Sequence, residues 1–93
     1  MRFLNSKLKI ENTILQNIAK KYGTPAYCYS YKQLRENIND FKKNFKSISP
    51  LICFAIKSNT NLNLIKEIKK FGLGADVVSM GELMLALKAG ISP

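Results

Sequence analysis

The apolar residues in the first third of the chain change from helical to extended spacing. Apolar side chains recur at intervals of three and four residues over Thr13–Tyr22, which predicts a first helix. Gly23 and Pro25 follow it, and both residue types commonly end helices. Tyrosines alternate with smaller residues over Ala26–Tyr29, which is typical of a short strand. The sequence therefore predicts a helix and then a strand.

A second, amphipathic helix is predicted after this strand. Ser30 and Gln33 stand three residues apart, as in a capping box, in which side chains bind the free N–H groups of a first turn. Apolar residues then share one face at helical spacing: Leu34, Ile38, Phe41 and Phe45. The pattern ends before Pro50.

From residue 51 onward, predicted strands and helices alternate. The unbroken apolar run Leu51–Ile56 predicts a strand that is buried on both faces, and the run Gly74–Val78 predicts a second strand. A helix follows each strand, and the later one begins at the capping pair Ser79 and Glu82. Such alternation predicts an α/β fold with parallel strands. Two strands leave open sheet edges, so we expect this chain to be the opening part of a larger α/β protein.

The net charge of +9 raises the question of nucleic-acid binding. Most of the basic residues are lysines, and they are spread from Lys7 to Lys88. Several pairs fall near the ends or on the polar sides of predicted helices, where they suit the helix dipole and the solvated face. We therefore expect no nucleic-acid partner.

The cysteines and the N-terminal residues indicate an ordinary soluble protein. Cys28 and Cys53 each lie in an apolar run, where cysteine usually behaves as a small buried hydrophobe, so neither a disulfide framework nor a metal site is predicted. Residues 1–10 contain no apolar signal-peptide core, and no stretch approaches about 20 apolar residues. We expect a cytoplasmic protein with no membrane partner.

Lys57 is the first candidate for chemistry, because it directly follows the predicted strand Leu51–Ile56 and precedes a polar loop. In parallel α/β barrels the carboxyl ends of the strands face the active site. A neutral lysine amine at such a position attacks aldehydes to form a Schiff base. The pattern alone favours the alternative, a lysine that merely ends a strand in solvent.

Asp76 and Glu82 are the acidic candidates. Asp76 lies inside the predicted strand Gly74–Val78, where a buried carboxylate requires a partner. That partner is either a group near Lys57 at the same end of the sheet or a set of backbone donors. Glu82 is explained by its spacing from Ser79, which favours a structural role as a helix cap.

Three spaced segments resemble the pyridoxal-phosphate decarboxylases of fold type III. Cys53–Asn59 is similar to the cofactor-lysine motif of that family, whose common form is tyrosine-alanine-valine-lysine-alanine-asparagine. Gly23–Ser30 resembles the first strand of the family, and Gly74–Leu83 resembles the strand-to-helix segment that follows the lysine. Within the family, the wording of the last segment and of Ala89–Pro93 looks more like diaminopimelate decarboxylases than ornithine or arginine decarboxylases.

The resemblance implies a cofactor, a reaction and a set of partners. Lys57 would be the catalytic residue that holds pyridoxal 5'-phosphate, and Asp76 would contribute to cofactor binding. The reaction would be decarboxylation of an amino acid, meso-diaminopimelate, to L-lysine and CO2 by a homodimeric enzyme, with this piece alone inactive. The alternatives are an ornithine or arginine decarboxylase and a non-catalytic barrel that carries pyridoxal phosphate.

The resemblance also implies a division of the chain. Residues 34–93 would form the first two βα units of a pyridoxal-phosphate-binding (β/α)8 barrel. Residues 1–33 would form an N-terminal segment whose strand belongs to a separate β domain.

Overall fold

In a computed structural model, which describes residues 1–4 and 6–93, the chain divides into two units, residues 1–43 and residues 44–93. The domain boundary implied by the resemblance, between residues 33 and 34, stays a prediction. No helix in the described residues is both long enough and apolar enough to cross a membrane.

The first unit begins with a small antiparallel sheet that the apolar pattern does not predict. Its strands are β1 (Arg2–Leu4), β2 (Lys7–Ile10) and β3 (Thr13–Ile14), with β2 in the centre. Helix α1 then runs over Leu15–Tyr22. The expected helix start at Thr13 is therefore wrong, because β3 pairs with β2, and the β-branched side chains of its two residues suit a strand.

The predicted strand Ala26–Tyr29 is also wrong. These residues form neither a helix nor a strand. A strand exists only through hydrogen bonds to a neighbouring strand, and in residues 1–4 and 6–93 no strand pairs with this segment. The alternating pattern is present in the sequence, but the pairing partner is not.

Helix α2 runs over Tyr31–Asn44, and its start is fixed by two side chains. Ser30 Oγ accepts from the backbone N–H of Gln33 at 3.0 Å, which confirms that Ser30 caps the helix. Glu11 Oε1 accepts from Ser30 Oγ at 2.7 Å and from the N–H of Lys32 at 2.8 Å. The tight turn between β2 and β3 is thereby joined to the helix, a link that the sequence does not predict.

The second unit has the expected order of strand, helix, strand and helix. Strands β4 (Cys53–Ala55) and β5 (Gly74–Asp76) are parallel, and they are followed by α3 (Leu62–Lys70) and α4 (Met80–Ala89). One-turn 3₁₀ helices lie at Lys46–Ile48 and Ile56–Ser58. The α/β class is confirmed, although both strands are shorter than predicted.

The expectation that β4 is buried on both faces is wrong. Cys53 is exposed, and Phe54 and Ala55 are only half-buried. The expectation that both cysteines are buried fails as well, since Cys28 is half-buried. Within the described residues, two strands and two helices do not supply enough apolar surface to cover both faces of the sheet.

The core of the second unit is a cluster of five buried apolar residues: Ile56, Ile65, Ala86, Ala89 and Ile91. Ile56 and Ile65 are fully buried, so β4 and α3 are anchored to the same cluster as α4. Burial of such side chains stabilises a fold by about 1.5–3 kcal/mol each. The turn that follows β4 therefore begins at one of the best-anchored residues of the chain.

Candidate functional site

Lys57 occupies the centre of the 3₁₀ turn Ile56–Ser58. Its side chain is exposed, whereas the preceding Ile56 is fully buried in the core cluster. The backbone N–H of Asn59 donates to the carbonyl of Ile56 at 3.0 Å and closes the turn around Lys57. An exposed amine-bearing side chain therefore projects from a hydrogen-bonded turn at the carboxyl end of β4.

The loop after Lys57 is ordered by its own polar side chains. Ser58 Oγ donates to the carbonyl of Ala55 at 2.7 Å. Asn59 Oδ1 accepts from the N–H of Asn61 at 3.0 Å, and Asn61 Oδ1 accepts from the N–H of Asn63 at 2.9 Å. Asn61 is thus the N-cap of α3, a position at which Asn is strongly preferred. The polar run that sequence analysis identifies only as a loop is a connected set of hydrogen bonds.

Asp76 lies at the end of β5, in register with Ala55 on β4. Because the strands are parallel, their carboxyl ends meet at one edge, so Asp76 and Lys57 belong to the same end of the sheet. Asp76 is exposed, and water solvates its carboxylate. The expectation that burial forces a partner on Asp76 is therefore wrong for the described unit, while the expected common edge with Lys57 is present in the backbone.

Glu82 forms hydrogen bonds at the start of α4. Its Oε2 accepts from the N–H of Val78 at 2.9 Å, and its own N–H donates to Ser79 Oγ at 3.2 Å. Each of the two side chains satisfies a backbone donor at the helix start, with Glu82 binding one residue before the N-cap. The predicted structural role of Glu82 is confirmed.

These residues fit a pyridoxal group in part. An exposed primary amine at a strand end can bond covalently to an aldehyde, and the Asp76 carboxylate at the same edge can accept a hydrogen bond. The starts of α3 and α4 are already capped by Asn61 and Ser79, so neither is a ready phosphate site. The described residues therefore fit the aldehyde end of such a cofactor better than its phosphate end.

Residues 31–93 match the family model described as pyridoxal-dependent decarboxylase, pyridoxal binding domain. The matched range contains Lys57, Asp76 and Glu82 and includes all of the second unit.

Two of the similar proteins are diaminopimelate decarboxylases. The chain is 42% identical over 93 residues to a diaminopimelate decarboxylase of Aquifex aeolicus, matching 100% of this chain and 22% of that protein. It is 40% identical over 78 residues to a diaminopimelate decarboxylase of Helicobacter pylori, matching 84% of this chain and 19% of that protein. The chain therefore spans about a fifth of the length of these relatives.

A solved structure extends the similarity to three dimensions. A crystal structure of an Aquifex aeolicus protein superposes with a TM-score of 0.91 at 42% sequence identity and covers 97% of this chain. The matched part is 22% of that protein. Both units of the chain therefore have counterparts in a solved protein.

Proposed function

Since the chain belongs to the pyridoxal-dependent decarboxylases, through the pyridoxal-binding domain of that family, we propose that the full-length protein decarboxylates meso-diaminopimelate to L-lysine and CO2. One observation carries this proposal: the similarity of the whole chain, at 42% identity, to a diaminopimelate decarboxylase. The site geometry supports it, because Lys57 lies at the strand end where this chemistry needs an amine.

Lys57 has two tasks in the proposed reaction. Its Nζ atom would hold pyridoxal phosphate through the cofactor aldehyde, at the carboxyl edge of β4 and β5. Pyridoxal phosphate, when bound, supplies an electron sink for the pair of electrons left behind as the substrate carboxylate departs as CO2. When it does not hold the cofactor, Lys57 Nζ would remain attached to the same turn and could hold a proton there.

Asp76 is the proposed second residue of the cofactor site. Its carboxylate lies at the end of the strand next to that of Lys57 and can accept a hydrogen bond from the Lys57 amine or from a cofactor group. A hydrogen-bond acceptor at the same edge of the sheet would orient the amine rather than react with it. The phosphate is assigned to residues of the full-length protein beyond these 93, because the starts of α3 and α4 are capped by their own side chains.

The larger architecture is proposed on the same basis. We assign residues 34–93 to the first two βα units of an eight-stranded barrel, supported by the parallel pair β4–β5 with a helix after each strand. Residues 1–33 are assigned to the β domain, supported by the antiparallel sheet β1–β3. A homodimer in the cytoplasm is the proposed state of the full-length protein.

Substrate competition tests the proposed activity. Purified full-length protein with pyridoxal phosphate should release CO2 from meso-diaminopimelate with a kcat/KM at least ~100-fold above that for ornithine or arginine, a ratio that a few charged contacts can supply. A preference for ornithine or arginine would overturn the diaminopimelate assignment and leave the role of Lys57 intact. Cofactor binding without CO2 release from any of the three would instead indicate a non-catalytic carrier.

A further inference from the structure

We infer that Ser58 is a positioning residue for Lys57: its hydroxyl ties the turn that carries Lys57 to the last carbonyl of β4. This inference rests on the proposed function, because it concerns how readily the Lys57 amine reaches a pyridoxal aldehyde. The observation behind it is the hydrogen bond from Ser58 Oγ to the carbonyl of Ala55, at 2.7 Å. That bond spans Lys57, since its two ends lie on either side of the lysine.

The Ala55 carbonyl is available to Ser58 because of the register of the sheet. In a parallel ladder, successive residues of a strand direct their backbone groups alternately to the two sides. The carbonyl of Ile52 accepts from the N–H of Gly74 at 2.9 Å, so the even-numbered residues along β4 face β5. Ala55 therefore directs its carbonyl to the opposite edge, where β4 has no neighbouring strand within the described residues. Within the described residues, Ser58 supplies the hydrogen bond that the ladder does not.

The consequence for Lys57 is a backbone that is held on both sides. On one side, Ile56 is fully buried in the core cluster. On the other, Ser58 is fixed by its own hydroxyl, and the N–H of Asn59 returns to the carbonyl of Ile56 at 3.0 Å. Only the exposed side chain of Lys57 is then free to move, which limits the search that its amine makes for the aldehyde. Loss of the Ser58 hydroxyl would also leave the Ala55 carbonyl open to water or to the lysine amine.

A sharp test replaces Ser58 in the full-length protein and follows pyridoxal phosphate itself. Cofactor is added to the cofactor-free protein, borohydride fixes the covalent bond at successive times, and mass spectrometry measures the labelled Lys57 peptide. Visible circular dichroism at saturating cofactor then reports the orientation of the bound ring, which a merely stabilising residue would not change. Ser58→Ala should label Lys57 about three- to ten-fold more slowly, the factor expected for one lost hydrogen bond, and should alter the dichroism.

Three comparison variants sharpen the result. Ser58→Thr keeps the hydroxyl and should label Lys57 within about two-fold of the wild type. Ser58→Cys, a weak donor of similar size, should be intermediate and takes the place of the alanine variant if that variant does not fold. Ser30→Ala is the matched control, because it also removes a serine hydroxyl that forms hydrogen bonds, but at the start of α2 in the first unit. It should match the wild type in both labelling rate and dichroism.

Several outcomes would overturn the role of Ser58. One is a Ser58→Ala protein that matches the wild type in rate and dichroism, and another is an equal slowing by Ser30→Ala. A Ser58→Thr protein as slow as Ser58→Ala would also contradict it, because the hydroxyl would then not be the cause. In each case the wild type still carries cofactor on Lys57, so the proposed function survives. A wild type with no cofactor on Lys57 would overturn the proposed function, and the inference on Ser58 with it.

Discussion

The Glu11 carboxylate links two segments of the first unit through hydrogen bonds. Its carboxylate accepts from the N–H of Lys32 and from the Ser30 hydroxyl, and these bonds lower the pKa of Glu11 below its ordinary value of 4.5. A carboxylate whose pKa is lowered by folding stabilises the protein above the unfolded-state pKa, and this stabilisation is lost as pH falls through the folded-state pKa. The Glu11–Ser30 link therefore stabilises the fold at neutral pH and loses this effect in acid.

Glu11→Gln should accordingly be less stable than the wild type at neutral pH, and the difference should shrink below about pH 4.5. Thermal unfolding of the two full-length proteins between pH 7 and pH 3.5 measures it. Glu36→Gln is the control, since Glu36 pairs on the surface of α2 with Lys32 at 3.8 Å. A stability difference that stays constant across this pH range would contradict the account.

The sequence predicts that Ser30 caps α2, but it does not predict that Glu11 binds Ser30. The cap of a helix by Ser30 depends on residues within one turn, so its spacing from Gln33 is visible in the sequence. Glu11 reaches Ser30 across 19 residues, and only the folded path of β2, β3 and α1 brings the two together. Ser58 is missed for a different reason: a serine bond to the carbonyl three residues earlier is a known local pattern, but a serine in a polar run does not by itself indicate it.

At the scale of elements, the β4–β5 pair places Cys53 opposite Gly74. The two residues are partners in the register, and a Cβ atom at Gly74 would lie 2.9 Å from Cys53 Sγ. That distance is too short for carbon and sulfur, so a side chain at residue 74 requires the Cys53 sulfur to move.

Gly74→Ala should destabilise the full-length protein by about 0.5–1.5 kcal/mol, because Cys53 Sγ must turn away from the new Cβ atom. Cys53→Ala should recover most of that loss in the double variant, because it removes the sulfur atom. Gly81→Ala is the matched control in α4, where the nearest atom to a new Cβ is Ser79 Oγ at 4.0 Å and alanine favours a helix by about 0.5–1 kcal/mol. Denaturant unfolding measures the wild type, the two single variants at residues 53 and 74, their double variant and Gly81→Ala, and additive effects of residues 53 and 74 would contradict the contact.

Helices and strands differ in how well the sequence predicts them. Helices α2, α3 and α4 and the caps of α2 and α4 follow from local spacing, because a helix satisfies its own backbone. The sheet β1–β3 is present but is not predicted, whereas the strand Ala26–Tyr29 is predicted but does not form in the described residues. Strands are hard to predict because each depends on a partner that lies elsewhere in the chain. The parallel pair is predictable because βα alternation restricts which strands can meet.

At the scale of the whole molecule, the second unit exposes more apolar surface than an independent domain usually does. Helix α4 is apolar on most sides, and Met80 and Met84 are 72% and 60% exposed. Beside it lies a groove of about 430 Å³, lined largely by apolar residues that include Leu51 and Leu87. A helix that is apolar all round is normally buried in a larger protein.

A polypeptide of these 93 residues alone should therefore self-associate, because open strand edges and apolar patches promote association. Sedimentation at several concentrations should give a mass that rises with concentration. Met84→Glu should weaken the association, whereas Asn63→Glu, the same added charge at an exposed polar residue of α3, should leave it unchanged. A monomer with one sharp cooperative unfolding transition would contradict this expectation.

The central claim is that Lys57 holds pyridoxal phosphate, and the most direct measurement is to locate the cofactor in the protein. The full-length protein is saturated with pyridoxal phosphate, reduced with borohydride and digested, and the labelled peptide is sequenced by mass spectrometry. If Lys57 holds the cofactor, one label is expected, on Lys57. The label should be absent from Lys57→Ala. It should be unaffected in Lys66→Ala, which replaces an exposed lysine of α3. A label on another lysine with Lys57 unmodified, or an unchanged label in Lys57→Ala, would contradict it.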